Sequence, residues 1–326
     1  NVKSILFIGY LLMAIGVFTT SLLPPHSPKL MYLSYGGLIG FGDGMVYNVI
    51  VAMMQKWFPD KKGLATGLTL ATLGISATIL APLCSGWLIN YGFLTTFKIL
   101  AVIFVAIGIF GMLTIKAPPA GYMSDYVPKG GAITQKQYEA SEVIKTLTYY
   151  KLLLIQICAI PAYVLISSIF VSYGTSRGLS TTLAVTGVSI ASLFQVAGRL
   201  LISGASDKIG RRGAMITSFS ITTVAVILLS FSTGYVYVFC FWMLSFAYGG
   251  TAATIPSITT DYFGVKNAGL IVSLVLLGMG ISSIFTPLVS KAVGISTSFI
   301  VAGVVAVMGI ILLFTLPKRQ EYSNNA

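Results

Sequence analysis

The sequence is poor in charged residues and in the residue types that form catalytic and metal sites. Of its 326 residues, 9% are charged and 56% are apolar, whereas a soluble domain carries roughly 25% charged residues. The mean hydropathy of +0.91 therefore predicts a chain that is surrounded by lipid. One histidine, His26, and three cysteines inside apolar runs predict no metal site, no disulfide framework and no cofactor.

Acidic residues are scarcer than basic ones, which leaves a net charge of +12. This charge does not indicate nucleic-acid binding, because the basic residues lie singly or in small groups between long apolar runs. Such a distribution is typical of the signals that set membrane topology. The expected partner is the lipid bilayer rather than nucleic acid.

Ten apolar runs are long enough to cross a membrane. A bilayer core about 30 Å thick needs about 20 apolar residues per helix. The runs lie at 5–23, 31–55, 64–88, 93–115, 152–173, 181–203, 214–232, 235–257, 268–289 and 293–316. The sequence therefore predicts an all-α membrane protein, and the prolines inside several runs are expected to bend their helices.

Residues 117–149 form the one long connection between these runs. They divide the chain into a partial first half, 1–116, with four helices, and a second half, 150–326, with six. If this loop is cytoplasmic, the opposite side keeps four of the 20 Lys and Arg residues, which are Lys29, Lys98, Arg177 and Lys291. This asymmetry predicts a multi-pass membrane protein with its long loop and C-terminus in the cytoplasm.

The chain matches itself at an offset of 205 residues. The matched pairs are Gly44 with Gly249, Trp57 with Tyr262, Phe58 with Phe263, Lys61 with Lys266, Pro82 with Pro287 and Leu83 with Leu288. Because equivalent helices enter the membrane from the same side, the repeat is parallel and predicts a bundle of two halves. The first two helices of the second half have no counterpart after residue 1, so we expect ten helices of a complete twelve.

Three segments carry a resemblance to a known family. Residues 199–212 read RLLISGASDKIGRR, residues 57–67 read WFPDKKGLATG, and residues 117–122 read APPAGY. With the two halves and the long central loop, the first segment resembles the signature turn of the major facilitator superfamily. The other two are most similar to its oxalate/formate antiporter family. The resemblance implies a major-facilitator-type bundle in a bacterial inner membrane that acts as a monomer on a small organic anion.

Arg199 is the first candidate for binding that anion. It lies eight residues before Asp207, or about 12 Å deeper in the same helix. Arginine near a helix centre costs roughly 2.5–3.5 kcal/mol and needs a partner or a water-filled cavity. Its guanidinium presents two parallel donors to a carboxylate, and the resemblance implies this role for Arg199. The alternative is a structural ion pair within the bundle.

The family's oxalate carrier has a second basic residue in its eleventh helix. The matching run here, Asn267 to Val289, has no charged residue inside the membrane. A single buried cation suits a monocarboxylate better than a dicarboxylate, so this departure places oxalate itself in doubt. Polar side chains expected to line the same cavity are Tyr47, Gln195 and Tyr163, each of which could equally serve a helix contact.

Asp43 is the candidate for proton coupling. It lies near the middle of its run, where a carboxylate without a cationic partner tends to be protonated. It could take up the proton of a symport cycle, or it could be a neutral acid that hydrogen-bonds across a glycine-rich helix contact. The sequence leaves both alternatives open.

The turn between two helices of the second half is the candidate gate. Its residues are Gly204, Asp207, Lys208, Gly210, Arg211 and Arg212. Asp207 could accept from Arg211 or cap the positive end of a neighbouring helix. The resemblance implies that such contacts form a latch that opens during alternating access, and the alternative is a plain basic anchor at the membrane surface.

These features favour a secondary transporter of a small organic anion such as formate, lactate, pyruvate or oxalate, working by antiport or proton-linked symport. A membrane enzyme is disfavoured, because Asp43 alone among the eight acidic residues lies deep in a predicted helix. The remaining alternative is a truncated chain that transports nothing by itself.

Overall fold

The computed structural model describes residues 2–24, 28–119, 122 and 137–317, and all regular structure in these ranges is helical. The helices are α1 (Val2–Ser21), α2 (Pro28–Met31), a π-helical segment (Tyr32–Ile39), α3 (Gly40–Trp57), α4 (Lys62–Thr114), α5 (Ala140–Val143), α6 (Leu147–Ala159), α7 (Pro161–Ser176), α8 (Thr181–Ile209), α9 (Arg211–Phe231), α10 (Gly234–Phe263), α11 (Ala268–Val293) and α12 (Ile295–Thr315).

Within the described part of the chain, nine segments are long and apolar enough to span a membrane. They overlap nine of the ten predicted runs. Eight agree at both ends to within six residues, whereas the segment Leu83–Thr114 begins ten residues before the predicted run at 93–115. The run predicted at 64–88 includes four side chains outside the described residues, and this span stays a prediction. The backbone of α4 supports a boundary there, since Gly92 has φ 73° and ψ 175° and interrupts the helix at the predicted turn.

Pro161 breaks the run that the sequence predicts as one helix at 152–173. The helix α6 ends at Ala159 and α7 begins at Pro161. Proline has no N–H, and its ring clashes with the carbonyl four residues earlier, so it is favoured at the start of a helix and disfavoured in its interior. Pro256 and Pro287, by contrast, lie inside α10 and α11.

The described chain divides into two compact units that do not follow chain order. One contains Asn1–Trp57 and Ser76–Ser124, and the other contains Phe58–Ile75 and Asp125–Ala326. The beginning of α4 therefore belongs with the C-terminal helices. The boundaries at 116 and 149 that the sequence predicts remain a prediction about how the two halves are joined.

In the first unit, α1 packs against α3 along a contact of small residues. A methyl group on Gly9 would meet the Gly42 carbonyl oxygen, and one on Gly42 would meet the Gly9 carbonyl oxygen. The helices therefore approach each other through backbone atoms. The Thr20 hydroxyl adds a hydrogen bond of 2.9 Å to the Ser34 hydroxyl.

In the second unit, α10 is the central helix. It packs against α8, α9 and α11, and from Gly249 to Phe263 nearly every residue is buried. Two apolar clusters surround it, one near Phe263 and Phe219 and the other near Phe170 and Tyr237. This arrangement holds the ends of α8, α9 and α10 close together, where the charged residues of the candidate gate lie.

The repeat is visible as the same tertiary hydrogen bond in each unit. Trp57 Nε1 donates to the Lys116 carbonyl at 3.1 Å, and the Tyr262 hydroxyl donates to the Pro317 carbonyl at 2.8 Å. Each acceptor lies two residues beyond the end of a long helix, α4 or α12. The structure thus supports the pairing of Trp57 with Tyr262 that the sequence predicts.

The end of α12 is held by three different helices. Besides Tyr262 of α10, Lys151 of α6 donates to the Thr315 carbonyl at 2.6 Å and Arg212 of α9 donates to the Leu316 carbonyl. Terminal carbonyls have no partner within their own helix, and cations there also oppose the negative end of the helix dipole. The last turn of α12 is therefore fixed to the rest of the unit.

Candidate functional site

Arg199 lies in the buried part of α8 and contacts α4. Its side chain is 9% exposed, and Nη1 donates a hydrogen bond of 2.6 Å to the Leu70 carbonyl. The sequence predicts that an arginine at this depth needs a partner. The structure supplies a backbone oxygen from a helix that lies 129 residues away in the chain.

Two of the predicted binding residues lie beside Arg199. Gln195 precedes it by one turn of α8, and its amide lies within hydrogen-bonding reach of the Tyr163 hydroxyl. The Tyr163 ring stacks on Tyr248 of α10, with centroids 4.1 Å apart and planes inclined by 9°. The positive charge of Arg199 acts on both phenolic hydroxyls. Arg199, Gln195, Tyr163 and Tyr248 therefore form one polar cluster, which we call the arginine cluster.

The arginine cluster is suited to binding a small anion. Arginine presents paired donors to a carboxylate, and the phenol and amide groups add further donors. Arg199 is buried, whereas Gln195, Tyr163 and Tyr248 are partly exposed. The cluster thus places a buried positive charge beside two stacked aromatic rings whose residues are partly exposed.

Glycines on α4 and α10 allow both helices to approach α8 closely on either side of Arg199. A methyl group on Gly67 would meet the Arg199 carbonyl oxygen, and one on Gly249 would meet the Gln195 carbonyl oxygen. Both neighbouring helices therefore touch the backbone of α8. The sequence analysis overlooked this contact, although Gly63 and Gly67 have the four-residue spacing that is typical of close helix pairs in membranes.

Asp207, in the candidate gate, makes both contacts that the sequence offers as alternatives. Its carboxylate accepts from the backbone N–H of Gly63 at 3.0 Å and of Leu64 at 2.9 Å, so it caps the first turn of α4. It also pairs with Arg211 Nη1 at 2.6 Å. The favourable interaction with the positive helix end and the ion pair therefore occur together.

Two further charged residues extend this contact, and the sequence analysis missed both. Asp261 Oδ2 accepts from Arg211 Nε at 3.1 Å, while Asp261 Oδ1 accepts from Lys62 Nζ at 3.2 Å. The Lys62 and Asp261 side chains are 3% and 7% exposed. With Asp207 and Arg211 they form a neutral network of two acids and two bases, which we call the charge network. Buried charges of this kind need such pairing.

The other residues of the candidate gate surround the charge network. Gly210 has φ +84° and links α8 to α9, a conformation that glycine adopts readily. Gly204 lies against Leu64, and Arg212 binds the end of α12. Lys208 is exposed and fits the alternative of a basic surface anchor.

Asp43 and Tyr47 belong to the other compact unit. Asp43 is exposed on α3, and its charge acts on the Tyr10 hydroxyl of α1. Tyr47 lies one turn further along α3 and is partly buried. Both residues stay predictions, the first as a proton site and the second as a binding residue.

The family model of the Major Facilitator Superfamily matches residues 1–190 and 152–326. The chain belongs to this superfamily. Because the superfamily consists of transporters, the protein is a multi-pass membrane transporter and not an enzyme. The resemblance inferred from the three sequence segments is confirmed.

Relatives of this superfamily transporter extend over most of its length. It is 26% identical over 292 residues to an uncharacterised transporter, YhjX, of Escherichia coli, covering 87% of this chain and 70% of the relative. It is 28% identical over 293 residues to the oxalate:formate antiporter of Oxalobacter formigenes, covering 86% and 68%. A 68-residue stretch, 21% of the chain, is 41% identical to mouse monocarboxylate transporter 12.

The fold has a solved counterpart. The superfamily transporter FucP, in the outward conformation, gives a TM-score of 0.74 at 14% identity and covers 98% of this chain and 84% of its own. This likeness confirms the two-half bundle expected from the repeat.

Two of the segments used for the family resemblance contact each other. Trp57, from the segment at 57–67, packs edge-on against Tyr122, from the segment at 117–122, with ring centroids 5.1 Å apart. In this superfamily transporter the two segments therefore build one aromatic contact at the end of α3.

Proposed function

We propose that this transporter is a secondary carrier that moves a small organic anion by alternating access. The observation that carries the proposal is the arginine cluster, where a buried guanidinium lies beside an amide and two stacked phenols. The hydrogen-bond donors of the cluster would replace the water that a carboxylate loses when it enters the membrane. Arg199 supplies the charge, and Tyr163, Gln195 and Tyr248 supply orientation.

The substrate that fits best is a monocarboxylate such as formate, lactate or pyruvate. The arginine cluster contains one cation, and α11 carries its basic residue, Lys291, in its last turn. A dicarboxylate such as oxalate would bring a second negative charge without a second buried cation. The names of two relatives, an oxalate:formate antiporter and a monocarboxylate transporter, support this substrate class.

The charge network supports the proposed gate. In the division predicted from the sequence, Lys62 belongs to the first half, whereas Asp207, Arg211 and Asp261 belong to the second. Alternating access requires this contact to open, so the network acts as a latch that is closed in the structure. The basic residues near it support a cytoplasmic position for this end, and the proposed carrier functions as a monomer in a bacterial inner membrane.

Antiport and proton-linked symport remain the two proposed coupling modes. Asp43 is the residue that would take up the proton in a symport cycle. Counterflow and uptake measured with and without a pH gradient distinguish these modes. In an antiporter, internal anion drives uptake; in a symporter, an inward proton gradient does.

Uptake by Arg199→Ala tests the site. The full-length protein in proteoliposomes should take up labelled formate, lactate, pyruvate or oxalate, and the variant should lose at least about 100-fold in affinity because two charge-assisted hydrogen bonds contribute roughly 1.5 kcal/mol or more each. Arg177→Ala is the matched control, since Arg177 also donates to backbone carbonyls, those of Ser230 and Ser232, but lies outside the cluster.

Normal uptake by Arg199→Ala would refute the site assignment. The same assay tests the alternative of a chain that transports nothing by itself. In that case residues 1–326 show no uptake of any of these anions, although they insert into the liposomes.

A further inference from the structure

Arg199 has two roles in the structure that involve the same guanidinium. It is the cation of the arginine cluster, and its Nη1 donates to the Leu70 carbonyl at 2.6 Å. Leu70 lies in the first part of α4, which also carries Lys62 of the charge network. The residue proposed to bind the anion is therefore hydrogen-bonded to α4, which must separate from α8 when the proposed gate opens.

The bond between Arg199 and Leu70 is one end of a polar contact between α4 and α8. At the other end, Asp207 caps Gly63 and Leu64. Leu70 lies seven residues after Gly63, about 10 Å further along the helix. Between these two ends the helices touch through Gly67 and the α8 backbone. Without Arg199 this stretch would be held by Asp207, by the Ser203 hydroxyl, which donates to the Gly63 carbonyl, and by van der Waals contact.

A carboxylate is a stronger partner for arginine than the Leu70 carbonyl is. That carbonyl lies inside α4, where it also accepts the N–H four residues later. It is uncharged, so its bond to Arg199 is charge-assisted by the guanidinium alone, whereas a carboxylate brings a full opposite charge as well. A carboxylate can also accept two parallel bonds from one guanidinium. An anion that reaches Arg199 is therefore favoured over Leu70.

We propose that the transported anion and the Leu70 carbonyl compete for Arg199, so that anion binding releases α4 from α8 and frees the gate to open. This proposal rests on the proposed function of the arginine cluster. Arg199 then reports occupancy of the site to α4. The empty carrier keeps the contact closed through Leu70, and the loaded carrier loses that bond.

Thr66 is a suitable reporter of this contact. It lies on α4 four residues before Leu70, it is fully buried, and its hydroxyl accepts from Ser257 of α10 at 3.3 Å. Release of α4 exposes this position to solvent. Thr66→Cys changes the side-chain volume little and introduces a thiol that a maleimide can modify.

The experiment measures the rate of modification of Thr66→Cys in the full-length protein in proteoliposomes. Peptide mass spectrometry separates residue 66 from the native Cys84, Cys158 and Cys240, and uptake by the reporter variant is checked first. Formate, lactate, pyruvate and oxalate serve as the four probes, and their binding is measured independently by calorimetry. We expect a saturating probe to raise the modification rate about tenfold, as expected for loss of one hydrogen bond to a charged group.

Two substitutions in the reporter background separate the roles of charge and hydrogen bond. Arg199→Met has no donor for Leu70, so residue 66 should be modified rapidly with or without a probe. Arg199→Gln retains a neutral donor for the carbonyl and should stay slow under both conditions. Slow modification in both variants would show that the Leu70 bond does not hold the contact and would overturn the proposal.

The reporter variant with Arg199 intact distinguishes this proposal from the proposed function. If a probe binds and the modification rate of residue 66 does not change, the competition is refuted while the binding site stands. If none of the four probes binds, both the proposed function and the competition are refuted.

Discussion

The turn between α3 and α4 and the turn between α10 and α11 occupy equivalent places in the repeat, yet they differ in charge. Both begin with an aromatic residue, Trp57 or Tyr262, that donates to a carbonyl beyond the last helix of its unit. At the residue before Tyr262, Asp261 binds Lys62 and Arg211. The position equivalent to Asp261 is Lys56, a residue of opposite charge.

This difference distinguishes the hydrogen bonds that hold the architecture from the charged residues of the proposed gate. The aromatic hydrogen bond recurs because each unit must fix the end of its last long helix. The charge network, in contrast, joins residues that are not equivalent in the repeat, namely Lys62 at the start of α4, Asp261 near the end of α10, and Asp207 and Arg211 on either side of the α8–α9 turn. The repeat therefore accounts for the architecture, and the departure from the repeat accounts for the charge network.

Among the substitutions that test this comparison, removal of the Asp261 carboxylate should have the largest effect on stability and uptake. Asp261→Ala leaves Lys62, 3% exposed, without this partner and removes one acid from Arg211. Loss of one partner from a buried ion pair destabilises a protein by roughly 3–5 kcal/mol. We expect a markedly lower thermal unfolding temperature in detergent and loss of uptake.

The double variant Asp261→Leu with Lys62→Met is the matched control for Asp261. It removes both charges together and fills the space with apolar atoms, so it should recover most of the stability. It should not recover regulated uptake if the network acts as a latch. Equal stability of Asp261→Ala and the wild type would contradict the buried pairing.

Loss of either aromatic hydrogen bond should have a smaller effect on the free energy of unfolding, of similar size in the two units. Tyr262→Phe removes only a hydroxyl, and Trp57→Phe removes an N–H together with part of the ring that contacts Tyr122. A hydrogen bond contributes about 1 kcal/mol, so Tyr262→Phe should lower the free energy of unfolding by this amount and Trp57→Phe by somewhat more.

Urea unfolding in detergent measures both substitutions. Tyr235→Phe, at a position that is 80% exposed, is the control and should leave stability unchanged. If Tyr262→Phe also left stability unchanged, the tie to Pro317 would have no role in holding α12.

The smallest expected effect is a pH dependence at the α10–α11 turn. Gln137 Oε1 accepts from the backbone N–H of Val265 and Lys266, and Glu139 accepts from the side chains of Lys266 and Asn267. The hydrogen bond from Lys266, followed by that from Asn267, lowers the pKa of Glu139 below its usual 4.5. The equivalent turn at Lys61 shows no such contact among the described residues.

Because folding lowers the pKa of Glu139, its carboxylate stabilises the contact with Lys266 and Asn267 of the α10–α11 turn at pH values above the usual glutamate pKa. That contribution is lost as the pH falls through the lowered pKa. Hydrogen exchange of the amides near Lys266, corrected for intrinsic rates, should increase in acid for the wild type and stay constant in Glu139→Gln. Since the Lys266 and Glu139 side chains are 65% and 55% exposed, high salt should weaken the effect.

Much of the fold could be predicted from the sequence because lipid imposes a simple rule on helix length. Nine predicted runs agree with described helices, and Gly92 interrupts α4 where the sequence places a turn. The break at Ile160 was less predictable. Pro161 signals a bend, but the neighbouring residues are apolar on both sides and read as one continuous span.

The site was predictable only in part. Arg199, Gln195 and Tyr163 were recognisable as polar residues inside apolar runs, and the structure brings them together. Lys62 and Asp261 were missed because each lies just beyond a predicted run, where a charged residue is expected to be solvated. Their burial depends on the packing of α4 against α8 and α10, which no local pattern encodes.

The fixed end of α12 has a practical consequence for protein engineering. The carbonyls of Thr315, Leu316 and Pro317 accept from Lys151, Arg212 and Tyr262 of three different helices. A purification tag or fluorescent protein joined after Pro317 leaves these acceptors in place and emerges from a defined point. A fusion joined a few residues earlier would deprive three helices of their acceptors at once, so the junction itself would determine whether the fusion folds.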